Sequence, residues 1–451
     1  MFQKKNNFIE RLLFLALAVY IVWPCPLLAA DPNVRIEMER TTRDEVKVAV
    51  TQFVQGKNSI DSEGIGLEAQ KILEADLRLS ELFVKVSPAT YEGLEQKERG
   101  KKKVDLWAWH QVGAQWLIKT EYSVMSGGKI SFVFRLYDTV GERFLLGKRY
   151  TVGRNFLRKV IHRYTDELVL QLTGKRGVAE TQIAFLSDEN KNKEIFVVDF
   201  DGFNSKQITH DQTLNLTPTW SPNGRWLVYT SYAGNNPDLI MIDSLGRKPK
   251  RTLLRLSGLN AAPSWSPVDD RLTLVLSKDK NSEIYTLGNT GQLRRLTRHF
   301  NIDTSPSWSP DGKKIVFTSD RSGTGAPQIY IMDSSKGDSA GVERISFGSS
   351  YNDNPAWSPD GDKIAYTTRV GKRFQIAIYD LKTKKSTIFT NKKGNSEQPT
   401  WSPDGRFLAY RHNGGSETNI YIQRLGSTKV RKLSFFSGGG TSPNWAPHGV
   451  Q

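Results

Sequence analysis

The sequence predicts a mainly β protein, a six-bladed β-propeller closed by its C-terminal strand and preceded by a small α/β domain. Three observations carry this. Pro-x-Trp recurs at Pro218/Trp220, Pro263/Trp265, Pro306/Trp308, Pro355/Trp357, Pro399/Trp401 and Pro443/Trp445. Successive tryptophans lie roughly 44 residues apart, a propeller-repeat period. Each repeat holds four short β-rich runs, the composition of one blade.

In chain order, residues 1–30 read as an export signal. Lys4, Lys5 and Arg11 form the basic start, Leu12 to Trp23 the apolar run, and Leu28-Ala29-Ala30 a small-residue cleavage end. Cys25, the only cysteine, lies inside it, so cleavage after Ala30 leaves no thiol for disulfides or metal. The rival reading, a lipidated Cys25, is disfavoured by Pro24 directly before it.

Residues 31–176 lack the repeat and read as the α/β domain, with a mobile N-terminal segment at 31–39. Glu45 to Phe53 alternates as a strand. Ile65, Ala69, Ile72, Leu73 and Leu77 recur at helical spacing, predicting a helix from Gly64 to Leu82. Strands follow at Gln115 to Val124, Ile130 to Asp138 and Phe144 to Val152, the last two a hairpin around Gly141. Phe156 to Leu172 reads as a second helix with Asn155 as N-cap and Gly174 as stop. The short linker Gly174-Lys175-Arg176-Gly177 predicts that the two domains touch.

Residues 177–451 are the propeller. Pro306 is expected at the first position of an inner strand, where its missing N–H is tolerated. Trp308 fills the space between blades, and Ser309-Pro310-Asp311-Gly312 makes a tight turn. The aspartates of these turns read as turn formers, not metal ligands. Pro267-Val268-Asp269-Asp270 lacks the glycine and Pro447-His448-Gly449 the aspartate, so looser turns are expected there. The array begins at Gln182 without an inner strand and ends at Thr441 to Trp445 with an inner strand alone. The last strand therefore completes the first blade, removing an edge that would invite aggregation.

The signal, the α/β domain, the Leu172-Thr173-Gly174 helix end, the entry strand Gln182-Ile183-Ala184-Phe185 and the Pro-x-Trp-Ser-Pro units, in that order, resemble the TolB family, periplasmic propeller proteins of the Tol-Pal system. The resemblance implies binding of the lipoprotein Pal across the channel mouth, engagement of TolA by the N-terminus, and support of outer-membrane integrity and constriction at cell division. Val34-Arg35-Ile36 matches the family's Val-Arg-Ile, and an extended, alternating segment can add to a partner's sheet. An edge strand of the α/β domain is the competing reading.

Loops that precede the inner strands converge on the mouth. Asn215, Thr217, Leu259, Asn260, Ala262, Asp303, Thr304, Ser305, Asn352, Asn354, Gln398 and Ser442 are the candidate Pal-binding residues. The resemblance favours the second and third of these loops, although Leu259 stands where a polar residue or histidine is expected. Turn chemistry is the competing account of their Asn, Asp and Ser content.

With 63 Lys and Arg against 47 Asp and Glu, the formal charge of +16 favours acidic partners and is silent on fold. Nucleic acid is not an expected partner of an exported chain, and a monomer with no cofactor and no metal is expected. An enzyme related to prolyl oligopeptidase needs a G-x-S-x-G elbow followed by Asp and His. No such elbow is expected here, and the histidines are scattered without H-E-x-x-H spacing. The alternative to protein recognition is a propeller that binds glycan or lipid headgroups.

Overall fold

The computed structural model describes residues 45–449 apart from 58, 100, 102, 190, 235, 324, 416 and 434–437. The expected export signal and the segment carrying Val34, Arg35 and Ile36 lie outside the described residues.

The α/β region begins with β1 (Val46–Val50) and β2 (Val54–Gln55), then α1 (Ile65–Leu79) and β3 (Phe83–Lys85). Two short helices follow, α2 (Glu92–Glu98) and α3 (Leu106–Gln111), then β4 (Trp116–Val124), β5 (Lys129–Asp138), β6 (Arg143–Gly153) and α4 (Leu157–Thr173). The sheet order is β3-β1-β4-β5-β6, with β2 also on β4. Alternation sends Val48, Val50 and Ile118 to one face, against Ala69, Leu73, Ile161 and Leu168 of α1 and α4. Ala49 and Leu117 point the other way, against Tyr91 and Trp109.

Both expected helices are present, with one correction. No side chain caps α4: Asn155 lies inside a single 3₁₀ turn, Arg154–Phe156, which leads into the helix. Gly174 ends α4 as expected, at φ 74°, where a side chain is disfavoured.

Six four-stranded antiparallel sheets form the propeller. Blade 1 joins Thr441–Trp445 to Gln182–Ser187, Glu194–Asp199 and Lys206–Gln207. The other inner strands are Asn215–Trp220 (blade 2), Asn260–Trp265 (blade 3), Asp303–Trp308 (blade 4), Asn352–Trp357 (blade 5) and Asn395–Trp401 (blade 6). In the uninterrupted blades the Trp-Ser backbone closes a turn, as in Ser309 N to Lys314 O at 2.9 Å. Ala446 N to Gln182 O repeats that bond at 2.8 Å across the chain closure. The terminal strand thus pairs as an ordinary inner strand.

The turns behave as their chemistry demands. Asp311 Oδ1 accepts from Ser309 Oγ at 2.6 Å and from Lys313 N at 3.1 Å, and Asp404 repeats this with Ser402 and Arg406. In blade 3, where glycine is missing, the outer bond from Ser266 N to Arg271 O persists at 2.8 Å. At Pro447-His448-Gly449 the chain makes a turn at 448–449 but no hairpin, because the neighbouring strand comes from Gln182.

The proline expectation needs correction. Pro306 is the fourth residue of its strand, at a register shift between Thr304 and Ser307. Every inner strand carries the same shift. Proline is tolerated because the bulged residue has no ladder bond to lose.

Tryptophan stitches blades as expected. Trp308 Nε1 donates to Ser264 O at 3.2 Å and Thr273 Oγ1 at 3.1 Å in the preceding blade, and Trp401 Nε1 to Ala356 O at 3.0 Å.

Each inner strand starts at one face of the disc and ends, at its tryptophan, on the other. The α/β region is held on the tryptophan-side face. There Arg424 Nη1 donates to Glu81 O at 2.9 Å, Lys175 pairs with Asp360 at 2.5 Å, and Leu79 packs against the cluster holding Phe200, Phe407 and Trp445.

Candidate protein-interaction site at the propeller mouth

The face where the inner strands begin carries no part of the α/β region that the described contacts show. Six equivalent residues, Thr217, Ala262, Ser305, Asn354, Gln398 and Ser442, line a central cavity of about 520 Å³. Each has positive φ, between 47° and 58°, and each precedes the strand proline. Such a conformation costs a non-glycine residue on the order of 1–3 kcal/mol. Its sixfold repetition makes it part of the bulge that turns these side chains into the channel.

Neighbouring members bond around the ring. Ser442 N donates to Gln398 Oε1 at 3.0 Å and Asn354 Nδ2 to Ser305 Oγ at 3.4 Å, while Gln398 N donates to Thr367 Oγ1 on the second strand of blade 5 at 3.1 Å. The Asp353 carboxylate accepts from Thr318 Oγ1 at 2.9 Å and Tyr351 Oη at 3.2 Å. Burial first, then the Asp353 charge, pushes the Tyr351 phenol up to about 12. These groups are neutral or anionic hydrogen-bonding partners that leave the hole open.

Four expected partner residues are placed elsewhere. Asn215, Asn260, Asp303 and Asn352 are fully buried. Their backbones bond back to the preceding blade, as in Asn352 N to Pro327 O at 2.9 Å. Their side chains do likewise: Asn215 Nδ2 to Glu194 Oε2 at 3.0 Å, Asn260 Nδ2 to Pro237 O at 2.9 Å, Asn352 Nδ2 to Gln328 Oε1 at 2.8 Å. Asp303 accepts from Arg321 Nη2 at 2.6 Å. The three asparagine side chains tie one blade to the next, whereas Asp303 does so through its backbone, to Ser282 O at 2.9 Å, and its carboxylate is held by Arg321 of its own blade 4. Leu259 and Thr304 are half-buried beside the opening.

The same loops carry large apolar side chains that the selection of short polar residues passed over. Phe300 is 87% exposed, Phe347 67% and Ile302 51%, in the two crossovers that enter blades 4 and 5. His299 stacks on Phe300 at 4.4 Å and the Arg344 guanidinium lies 4.9 Å from Phe347, holding both rings at the surface. Their signal in the sequence is an aromatic set among Gly, Asn and Ser, outside any strand alternation.

The sequence does contain a G-x-S-x-G string, Gly337-Asp338-Ser339-Ala340-Gly341, which corrects the expectation of none. It lies within the outer strand of blade 4, Gly337–Arg344, where exposed Ser339 donates to Lys336 O at 2.7 Å. No strand-to-helix elbow is formed there, so the string lacks the geometry that activates a serine.

Among the described residues, one group brings three His, Asp or Glu side chains within 4.8 Å: Asp76, His162 and Asp201. It lies on the opposite face, at the α/β region. His162 Nδ1 is already bonded to Asp76 Oδ2 at 2.7 Å and Arg158 pairs with Asp201, so the cluster is charge-paired from within.

The sequence matches two family models, the TolB beta propeller domain over residues 169–447 and the TolB amino-terminal domain over 34–145. It is 37% identical over 289 residues to the Tol-Pal system protein TolB of Desulfosudis oleivorans, covering 63% of this chain and 64% of that one. It is 32% identical over 235 residues to a protein TolB homolog of Chlorobium luteolum, covering 52% of each. The chain thus spans less than two thirds of the length of these curated relatives. The crystal structure of TolB from Acinetobacter baumannii superposes with a TM-score of 0.75 at 26% identity, over 90% of this chain and 97% of that one.

Proposed function

The chain belongs to the TolB family, and from that premise we propose that it is a periplasmic, non-enzymatic component of the Tol-Pal envelope system. It binds Pal at the propeller mouth and TolA through its N-terminal segment, and so supports outer-membrane integrity and constriction at division. The observation that carries the Pal reading is the mouth itself: a polar channel rim beside exposed Phe300, Ile302 and Phe347, on the face away from the α/β region. Exposed aromatics beside satisfied polar groups are the composition of a binding hot spot.

Phe300→Ala with Phe347→Ala weakens binding of the soluble domain of Pal by at least ~30-fold, about 2 kcal/mol. Titration calorimetry checks this, with circular dichroism to show that the fold is retained. Unchanged affinity would remove the two rings from the site. Val34, Arg35 and Ile36 carry the TolA contact in this reading. Removing residues 31–39 abolishes TolA capture on an immobilised-TolA column while leaving Pal affinity unaltered. Equal retention of the truncated chain would discard that assignment.

A further inference from the structure

The group Asp76, His162, Asp201 and Arg158 joins three elements that the sequence separates widely. Asp76 is on α1, Arg158 and His162 are on α4, and Asp201 lies in the blade 1 turn that follows Glu194–Asp199. His162 and Asp76 are 3% and 1% exposed, and the Asp201 side chain 4%. His162 Nδ1 meets Asp76 Oδ2 at 2.7 Å, and Nε2 faces Asp201 Oδ2 at 3.4 Å. Thr165 Oγ1 donates to Asp76 Oδ2 at 3.2 Å, so that carboxylate is held from α4 twice.

Charge decides the state of the ring. Asp76 and Asp201 supply two negative charges and Arg158 one positive. One added proton makes the buried cluster neutral, and burial raises the Asp76 carboxyl as well; its Oδ2 meets His162 Nδ1 and accepts from Thr165 Oγ1, contacts that favour the carboxylate and so place the proton on the ring. An unpaired buried charge is far costlier than a paired one. Arg431 of blade 6 faces the same region, where the Asp201 and then the Glu81 carboxylates act on its charge. Arg431 Nη2 donates to Phe200 O at 2.7 Å, and its guanidinium lies 4.7 Å from the Phe200 ring.

We propose that His162 is a pH-sensitive latch between the α/β region and the propeller: its imidazolium bridges Asp76 to Asp201, and its deprotonation loosens their docking. Burial disfavours the cation, but Asp76 and then Asp201 overcome it and hold the imidazole above its ordinary value. For a histidine whose folded pKa is raised, the stabilisation is fully present below the unfolded value near 6.5 and is lost as pH rises through the folded value. The interface is therefore tightest in mild acid and slackens as pH rises through the folded value of His162.

Asp166, one turn along α4, accepts from Ala179 N at 2.7 Å and Glu180 N at 3.1 Å, and burial pushes its carboxyl up to about 7. The wild-type pH profile therefore does not isolate His162, but its difference from Asp201→Asn does. The experiment follows the mature chain by NMR titration of the histidines, assigned with His162→Gln, and by amide hydrogen exchange of residues 199–203 at pH 6.0 and 8.5, corrected for intrinsic rate. His162 titrates above 6.5, and exchange at the turn rises about tenfold for each unit of elevation. In Asp201→Asn the His162 pKa falls and the pH-dependent part of the exchange shrinks accordingly. Should Asp201→Asn not fold, His162→Gln carries the test by losing the same pH-dependent part. His162 titrating at or below 6.5, or an unaltered pH dependence in whichever variant folds, overturns the proposal.

Discussion

Deleting residues 441–451 abolishes the cooperative melting of the propeller. Those residues hold the inner strand of blade 1, and its bonds run to three blades. Ala446 N donates to Gln182 O at 2.8 Å and Trp445 Nε1 to Thr181 Oγ1 at 2.9 Å within the entry segment. Ser442 N reaches Gln398 Oε1 at 3.0 Å and Trp445 N reaches Thr400 Oγ1 at 3.2 Å in blade 6. Asn444 Oδ1 accepts from Trp220 N at 2.9 Å in blade 2. Trp445 also packs on Phe200 and Phe407, with centroids at 5.8 and 6.4 Å. Losing a buried tryptophan side chain alone costs about 3–5 kcal/mol, against a total stability of roughly 5–15 kcal/mol for a domain. Removal of the whole strand adds an unpaired edge at Gln182–Ser187, a template for aggregation. Thermal circular dichroism with light scattering reads both effects. A truncated chain that melts like the full one would show that the ring does not depend on its closing strand.

Asp303→Ala destabilises the protein by about 3 kcal/mol, because it leaves a buried guanidinium with only the more distant Asp338 carboxylate, at 3.9 Å. Arg321 has a side chain only 9% exposed and spans from Asp303 Oδ2 at 2.6 Å to Ser319 Oγ at 2.9 Å. Its charge also lies 5.3 Å from the Phe317 ring, so it cannot move to solvent without unpacking blade 4. Urea unfolding measures the loss as a lower midpoint at unchanged slope. Removing both charges, with Asp303→Asn and Arg321→Leu together, costs less than Asp303→Ala alone. A loss of less than about 1 kcal/mol in the single variant would mean that the Asp303–Arg321 pair does not hold blade 4 together.

Repetition made most of the fold legible. Six phrases fix six blades, and the unequal ends of the array fix where the ring closes. What stayed hidden is local. A bulge cannot be seen in a string of residues, so Pro306 read as a strand start when it sits at the fourth position. The helices Glu92–Glu98 and Leu106–Gln111 are under two turns long and give too few repeats for periodicity to register. Polar residues before the inner strands divide into two sets that composition does not separate. Ser305 and Asn354 face the channel, whereas Asp303 and Asn352, two residues earlier in each strand, are buried between blades. The two-residue offset is one strand period, but the intervening bulge reverses which side each residue faces.

The partner is expected to land on the propeller mouth. Amide hydrogen exchange of the chain from Asp31 onward, with and without the soluble domain of Pal, tests this directly. Protection is expected in the crossovers 210–217, 255–262, 298–305 and 347–354, with the turns at 309–312, 358–361 and 402–405 unchanged. Protection confined to those turns or to the α/β region, with the crossovers exchanging as before, would contradict it.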